Sequence, residues 1–184
     1  MPSTITVSPQ IRMELTDAAH AAGLLQAVNE NRNHLSAFLP WVPFMQTEAD
    51  FEKYIAHCGQ LHQQNLERSF VIFYEDTIVG RIGLHHINTR DQNASIGYWL
   101  CKSAEGKGIA SSCCRAIIDY GFKQLQLHRI EIRAAEQNLR SRAIPQKLGF
   151  SFEGTIRQAE YVNGQWYNLA LYSILIEEWI KHPS

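Results

Sequence analysis

The chain has 184 residues, 45% of them hydrophobic and 19% charged. That is about the length and composition of one ordinary globular domain, which excludes wholesale disorder. With 17 basic and 18 acidic side chains the formal net charge is -1, so no global basic field exists to hold nucleic acid or an anionic membrane surface. Cys58, Cys101, Cys113 and Cys114 form no C-x-x-C pair and two are adjacent, which suits neither a disulfide framework nor a zinc site. No metal is expected. The first residues lack the basic and apolar regions of a signal peptide, and no stretch approaches the ~20 apolar residues of a membrane span. The expected setting is the reducing cytoplasm.

No repeat and no linker-like run interrupts the sequence, so residues 1–184 are read as a single domain. A short strand is expected at Ile11 to Leu15. Asp17 then caps a helix carrying Ala18, Ala21, Leu24, Leu25 and Val28 at helical spacing. Phe38, Pro40, Trp41, Pro43 and Phe44 follow as a stiff apolar loop, because two prolines break any helix there. Thr47 opens a second helix with Phe51, Tyr54, Ile55, Cys58 and Leu61 as its buried stripe. From Ser69 the period changes to that of strands: Phe70 to Tyr74 and Ile78 to Ile87, joined at Glu75-Asp76, then Asn93 to Leu100. Gly106-Lys107-Gly108 introduces a helix with Ile109, Cys113, Ile117 and Tyr120 on one face. A strand at His128 to Ala134 and a short helix around Arg140 to Leu148 come next. Phe150 to Tyr161 and Trp166 to Leu175 form a hairpin through Asn163-Gly164, the strongest short turn signal available. Helices first, then a mostly antiparallel sheet crossed by two later helices, make the class α+β, or mixed α/β.

The informative segment runs from Ile96 to Ser111, a strand passing through a glycine loop directly into a helix. Successive backbone N–H groups there, with the helix N-terminal dipole, suit phosphate oxygens, and glycine allows close approach. A plain turn and cap accounts for two glycines equally well. A Walker loop is excluded, since Lys107 is followed by Gly108 rather than Ser or Thr. A dinucleotide fingerprint fails too: Ser111 stands at its third small position, and the loop lies past mid-chain.

The segment resembles the acetyl-CoA loop of the GNAT family of N-acetyltransferases, whose pattern is Gln or Arg, two residues, Gly, one residue, then Gly or Ala. Gly106 and Gly108 match, and Ser103 departs from the Gln or Arg position. A second block, Asn138-Leu139-Arg140-Ser141-Arg142-Ala143 followed by Lys147-Leu148-Gly149-Phe150, resembles the family's Asn-x-x-Ser and Leu-Gly-Phe element at the family's spacing. Gly97-Tyr98-Trp99-Leu100, Asn31 to Leu35, Leu39-Pro40-Trp41 and Ala159 to Gly164 extend the likeness over nearly the whole chain, towards the RimJ/RimL-type branch that modifies ribosomal-protein N-termini.

The resemblance implies a central, mostly antiparallel sheet with a splayed strand pair, flanked by helices. It implies acetyl-CoA as co-substrate, held by Trp99 and Leu100 of the splayed strand, by Gly106, Lys107, Gly108, Ile109 and Ala110 of the loop, and by Asn138. The tyrosine that protonates the thiolate in many relatives is replaced by Pro145, and Ser141 is the nearest substitute on the same helix. Glu160 is the candidate base, with Glu131 and Glu153 as possible substitutes; it could equally be a solvated strand residue. His85 and His86 point to opposite faces of a strand and are read as structural. Cys113 and Cys114 are read as one core and one lateral packing position. Trp41 and Phe44 are either core or acceptor-pocket wall. The expected acceptor is an amine, the N-terminus of a ribosomal protein; the alternatives are a small amine (polyamine, aminoglycoside or peptide-like toxin) and a non-catalytic acyl-CoA-binding module. Apolar aromatics near both ends suit a homodimer.

Overall fold

The computed structural model describes residues 3–181. Among these, β1 (Thr4–Ser8), β2 (Ile11–Leu15), β3 (Arg68–Tyr74), β4 (Thr77–Asn88), β5 (Asn93–Leu100), β6 (Arg129–Ala135), β7 (Ser151–Val162) and β8 (Gln165–Leu175) form one sheet in the order β1-β2-β3-β4-β5-β6-β8-β7. Every neighbouring pair is antiparallel except β5 with β6. The helices are α1 (Ala21–Leu35), α2 (Glu48–Gln63), α3 (Ile109–Gln124), α4 (Leu139–Lys147) and α5 (Ile176–Lys181). None is long and apolar enough to cross a membrane.

Local chemistry accounts for most of the boundaries. Asp17 accepts a hydrogen bond from Ala19 N at 2.9 Å and starts a short 3-10 turn, Ala18–His20, that leads into α1. Thr47 and Asp50 cap α2 reciprocally, each side chain accepting from the other's backbone N–H. Both hairpin turns that the sequence marks contain paired left-handed residues, Glu75 with Asp76 and Asn163 with Gly164. Two elements carry no sequence signal: β1, which has no buried side chain, and α5, which continues directly from β8.

Side-chain alternation along β3 feeds two cores. Phe70 and Ile72 join Ile82, Leu84 and Ile96 under α3, whose buried face includes Ile109, Cys113 and Ile117. Val71 and Phe73 face the other way, with Trp99, and are covered by Leu24 and Val28 of α1 and Phe51 and Ile55 of α2. Cys113 and Cys114 are both fully buried, so the second is a core residue rather than a lateral one: α3 meets the sheet on one side and α4 on another. The aromatic loop after α1 is tied back by Arg32, which donates to Val42 O at 3.0 Å and Met45 O at 2.6 Å.

Candidate active site

β5 and β6 are paired only over Asn93–Ile96 and Arg129–Ile132. Beyond those residues β5 continues to Leu100 and β6 to Ala135 without a shared ladder, so the sheet opens into a wedge. The Cys101 N–H donates to Val79 O at 2.7 Å, and the register from Gly80↔Leu100 to His85↔Ser95 runs without a bulge. Antiparallel bonding alternates along a strand. The Trp99 amide is therefore turned towards β4, and those of Tyr98 and Leu100 face the wedge.

α4 closes one side of the opening. Asn138 caps the helix, its Oδ1 accepting from Ser141 N at 3.1 Å. The Tyr98 hydroxyl donates to Ser141 O at 2.9 Å and lies 3.1 Å from Ser141 Oγ. Burial, chiefly, holds the Tyr98 phenol well above its ordinary range, so it stays protonated. Pro145, at the position of the usual acid, is buried inside α4.

An outer groove of about 1140 Å³ runs from this opening along the glycine loop, lined by Leu100, Gly106, Gly108, Ile109, Ala110, Asn138 and Ser141 among others. Gly106 and Gly108 have φ of +77° and +76°, and a Cβ on either would meet nothing within 4 Å except open groove. No side chain caps α3, so its first amides are left free towards that space. Lys107 does not line the groove; its ammonium lies 4.9 Å from the centre of the Tyr74 ring. At the mouth, Glu105 collects Lys102 Nζ at 2.9 Å, His34 Nε2 at 3.3 Å and Arg140.

An inner cavity of about 430 Å³ lies on the other side of the wedge. Groove and cavity share Phe38, Leu39, Tyr98, Trp99, Asn138 and Ser141 in their walls, so they meet at the opening. Trp41 lines the cavity, its ring 6.0 Å from that of Trp99, while Phe44 is 77% exposed and belongs to neither core nor wall. Glu160 also lines it. Between Ile156↔Leu169 and Glu160↔Tyr167 the chain advances four positions along β7 against two along β8, a bulge that re-aims this side chain. Glu160 is half-buried, has no ion-pair partner among the described residues, and its carboxyl is raised by desolvation alone. The other two candidate carboxylates are committed elsewhere. Glu153 is held at about 2 by Arg129 and Ser173, and Glu131 lies between Arg129 and Arg133 at 3.0 Å from each.

Sequence reasoning passed over two groups that the fold brings to the site, Tyr98 and Arg81, and His85, read as structural, lines the cavity while paired with Glu67. His85 Nδ1 lies 3.0 Å from Glu67 Oε2, and the ring occupies room left by Gly83 and Gly97, where a Cβ would meet it at 3.1 and 3.2 Å. His86 is exposed, with a φ of +53° where the β4–β5 register shifts between His85 and Asn88, so plain strand alternation does not place it.

A sheet wedged open between two strands, with a glycine loop and uncapped helix start at one mouth and a cavity bearing Glu160 at the other, is the arrangement of a transferase with room for two substrates that meet at the opening. The chain matches the family model described as acetyltransferase (GNAT) domain over residues 11–151, and it belongs to that family of acetyltransferases. It is 32% identical over 177 residues to the ribosomal-protein-serine acetyltransferase of Escherichia coli (strain K12), a match covering 96% of this chain and 99% of that one. The solved structure of the RimL ribosomal L7/L12 α-N-protein acetyltransferase in complex with coenzyme A is similar with a TM-score of 0.91 at 27% identity, over 95% of this chain and 99% of that chain. The microcin C7 self-immunity acetyltransferase MccE, in complex with acetyl-CoA and AMP, gives 0.90 at 28% identity over 96% and 98%.

Proposed function

We propose that this chain moves the acetyl group of acetyl-CoA to the α-amine at the N-terminus of a ribosomal protein, and that residues 1–184 work as one cytoplasmic acetyltransferase domain. The observation that carries the reading is the meeting of groove and cavity at the wedge, with Ser141 beside the groove and the unpartnered Glu160 in the cavity. The names of the relatives supply the acceptor class.

Bound acetyl-CoA supplies an activated carbonyl and a thiolate leaving group. The open amides of Gly106, Gly108, Ile109 and Ala110 hold its pyrophosphate; Lys107 contributes its backbone, since its ammonium is turned to Tyr74. Asn138 has its Oδ1 committed to the helix cap, which leaves Nδ2 to donate to the pantetheine arm. The Leu100 N–H, facing the wedge, stabilises the developing oxyanion, and Trp99 contributes its ring to the wall. Glu160 takes the ammonium proton, directly or through one water; a carboxyl raised by an apolar wall is closer to what a base needs near neutral pH. Ser141 offers its hydroxyl to the departing sulfur, oriented by Tyr98. A serine hydroxyl is a weak acid, so its contribution is stabilisation more than proton donation.

The test mixes the pure protein with acetyl-CoA and follows free thiol while peptides beginning with Ser or Ala, polyamines and aminoglycosides are offered in turn. Turnover with the peptides is expected. Turnover confined to small amines would replace the acceptor, and acetyl-CoA binding without turnover would leave only a binding module.

A further inference from the structure

The inner cavity carries a charge that acetyl transfer does not require. Arg81, on β4 opposite Trp99, is 8% exposed and lines the cavity together with Tyr54 and Ser69, the two side chains its guanidinium binds. The group is held rigidly: its Cζ lies 4.6 Å from the centre of the Tyr54 ring, Nη1 donates to the Tyr54 hydroxyl and Nη2 to the Ser69 hydroxyl, with Cys58 Sγ at 3.7 Å. All three partners are neutral, the Tyr54 phenol and the Cys58 thiol both being pushed up by burial. No carboxylate lies within 4.0 Å of Arg81 among the described residues, and its Nε has no hydrogen-bond partner.

A guanidinium withdrawn from water is normally met by a carboxylate or phosphate, because an unpaired buried charge is costly and because its fork matches those groups. Glu67 does not fill that place. It is buried nearby and the Arg81 charge helps to lower its carboxyl, but it makes no ion pair with Arg81. Its Oε2 is held by His85 and the residue is absent from the cavity wall, so the face of the guanidinium towards the cavity is left open. Arg133, the other arginine on the wall, is already paired with Glu131. The cavity is therefore bipolar, with the unpartnered Glu160 on β7 and an anion-seeking guanidinium on β4, three strands lying between them in the sheet order.

We propose that Arg81 binds a carboxylate carried by the acceptor close to its reacting amine. This rests on the acetyl-transfer reading above and narrows its acceptor: a carboxylate beside the amine is preferred over the neutral Ser and Ala N-termini, and a free amino acid would take the place of the protein N-terminus. The carboxylate has two sources, the side chain of an N-terminal Asp or Glu, or the α-carboxylate of a free amino acid.

Isosteric pairs test this with the wild-type enzyme: peptides beginning with Asp against Asn and Glu against Gln, and free amino acids against their α-carboxamides. The carboxylate member is expected to win by about 10- to 100-fold in kcat/KM, mostly through KM, the worth of one charge-assisted hydrogen bond. Preference within the peptide pairs identifies the side chain, and preference within the amino-acid pairs the α-carboxylate. Arg81→Met should bring the carboxylate member down towards its amide, with acetyl-CoA binding in the outer groove as the check on folding. Arg81→Lys should keep part of the preference. Equal use of acid and amide by the wild type, or a preference that survives Arg81→Met, would overturn the inference while leaving acetyl transfer standing. No turnover on any acceptor would instead remove the acetyl-transfer reading, and this inference with it.

Discussion

Glu131 on β6 and Glu153 and Glu160 on β7 are held in three different ways, so single exchanges of Glu for Gln separate structural from chemical roles. Glu153 receives both Arg129 Nη groups, at 2.6 and 2.7 Å, and the Ser173 hydroxyl at 2.6 Å, which together hold its carboxyl at about 2. Carried wholly into stability, that displacement is worth roughly 3 kcal/mol. The side chain is 35% exposed, and solvent screening reduces the expectation to about 1 kcal/mol. Glu153→Gln should therefore lower Tm by about 2–4 °C at neutral pH and leave acetyl transfer intact. The folded-state value lies below the ordinary 4.5, so this stabilisation is complete above that pH and fades as pH falls towards about 2, where wild type and variant converge. Glu160 is the opposite case. Burial alone raises its carboxyl, so its ionised form costs the fold something, a cost relieved as pH falls through the raised value. Glu160→Gln should keep or raise Tm at neutral pH while kcat drops about 10²–10⁴-fold, the usual worth of a general base. Thermal melts from acid to neutral pH, run beside thiol release with a peptide acceptor, measure both. An undiminished rate in Glu160→Gln, or an equal loss of kcat in Glu153→Gln without its loss of Tm, would refute the assignment of the base.

Three further outcomes are expected. Gly108→Ala places a Cβ in the left-handed region at φ +76°, with open groove around it. The backbone strain should cost about 1 kcal/mol, and coenzyme A titrated calorimetrically should bind at least about tenfold more weakly because the cradle is filled; a change in Tm with unchanged affinity would mean that the loop does not hold the ligand. Arg32→Leu removes two hydrogen bonds to the aromatic loop, so stability should fall by about 2 kcal/mol and the acceptor KM should rise while acetyl-CoA affinity holds. Tyr98→Phe deletes both contacts to Ser141, and kcat should fall about tenfold, the worth of the one bond, at about 1–1.5 kcal/mol, that orients the Ser141 hydroxyl. Combined with Ser141→Ala the loss should be far less than additive, since Tyr98 acts through Ser141; full additivity in a double-mutant cycle would give Tyr98 a separate role.

How far the sequence reveals this site depends on the range over which each feature is encoded. Caps and turns are local: Asp17, Thr47, Glu75-Asp76 and Asn163-Gly164 announce their elements within four residues, and each stands where the spacing predicts. The glycine loop is local as well, although the direction of the Lys107 side chain is not, because Tyr74 reaches it from β3. β1 escapes notice because an edge strand needs no apolar stripe, and α5 because its apolar residues continue those of β8. The inner cavity lies at the far limit. Its wall combines residues from β3, β4, β5, β6 and β7 with the aromatic loop after α1, α2 and the start of α4, and a two-position slip in the β7–β8 ladder decides where Glu160 points. Arg81 reads in the sequence as one charge in a strand of otherwise apolar character, which on an edge would be a solvated residue. Only the packing of α2 over the sheet, which brings Tyr54 to it beside Ser69 of β3, turns it into a buried cation on the cavity wall. The glycine loop is thus encoded in contiguous backbone geometry, whereas the inner cavity is encoded in side chains that meet only after the sheet has formed. Relatives sharing the first need not share the second.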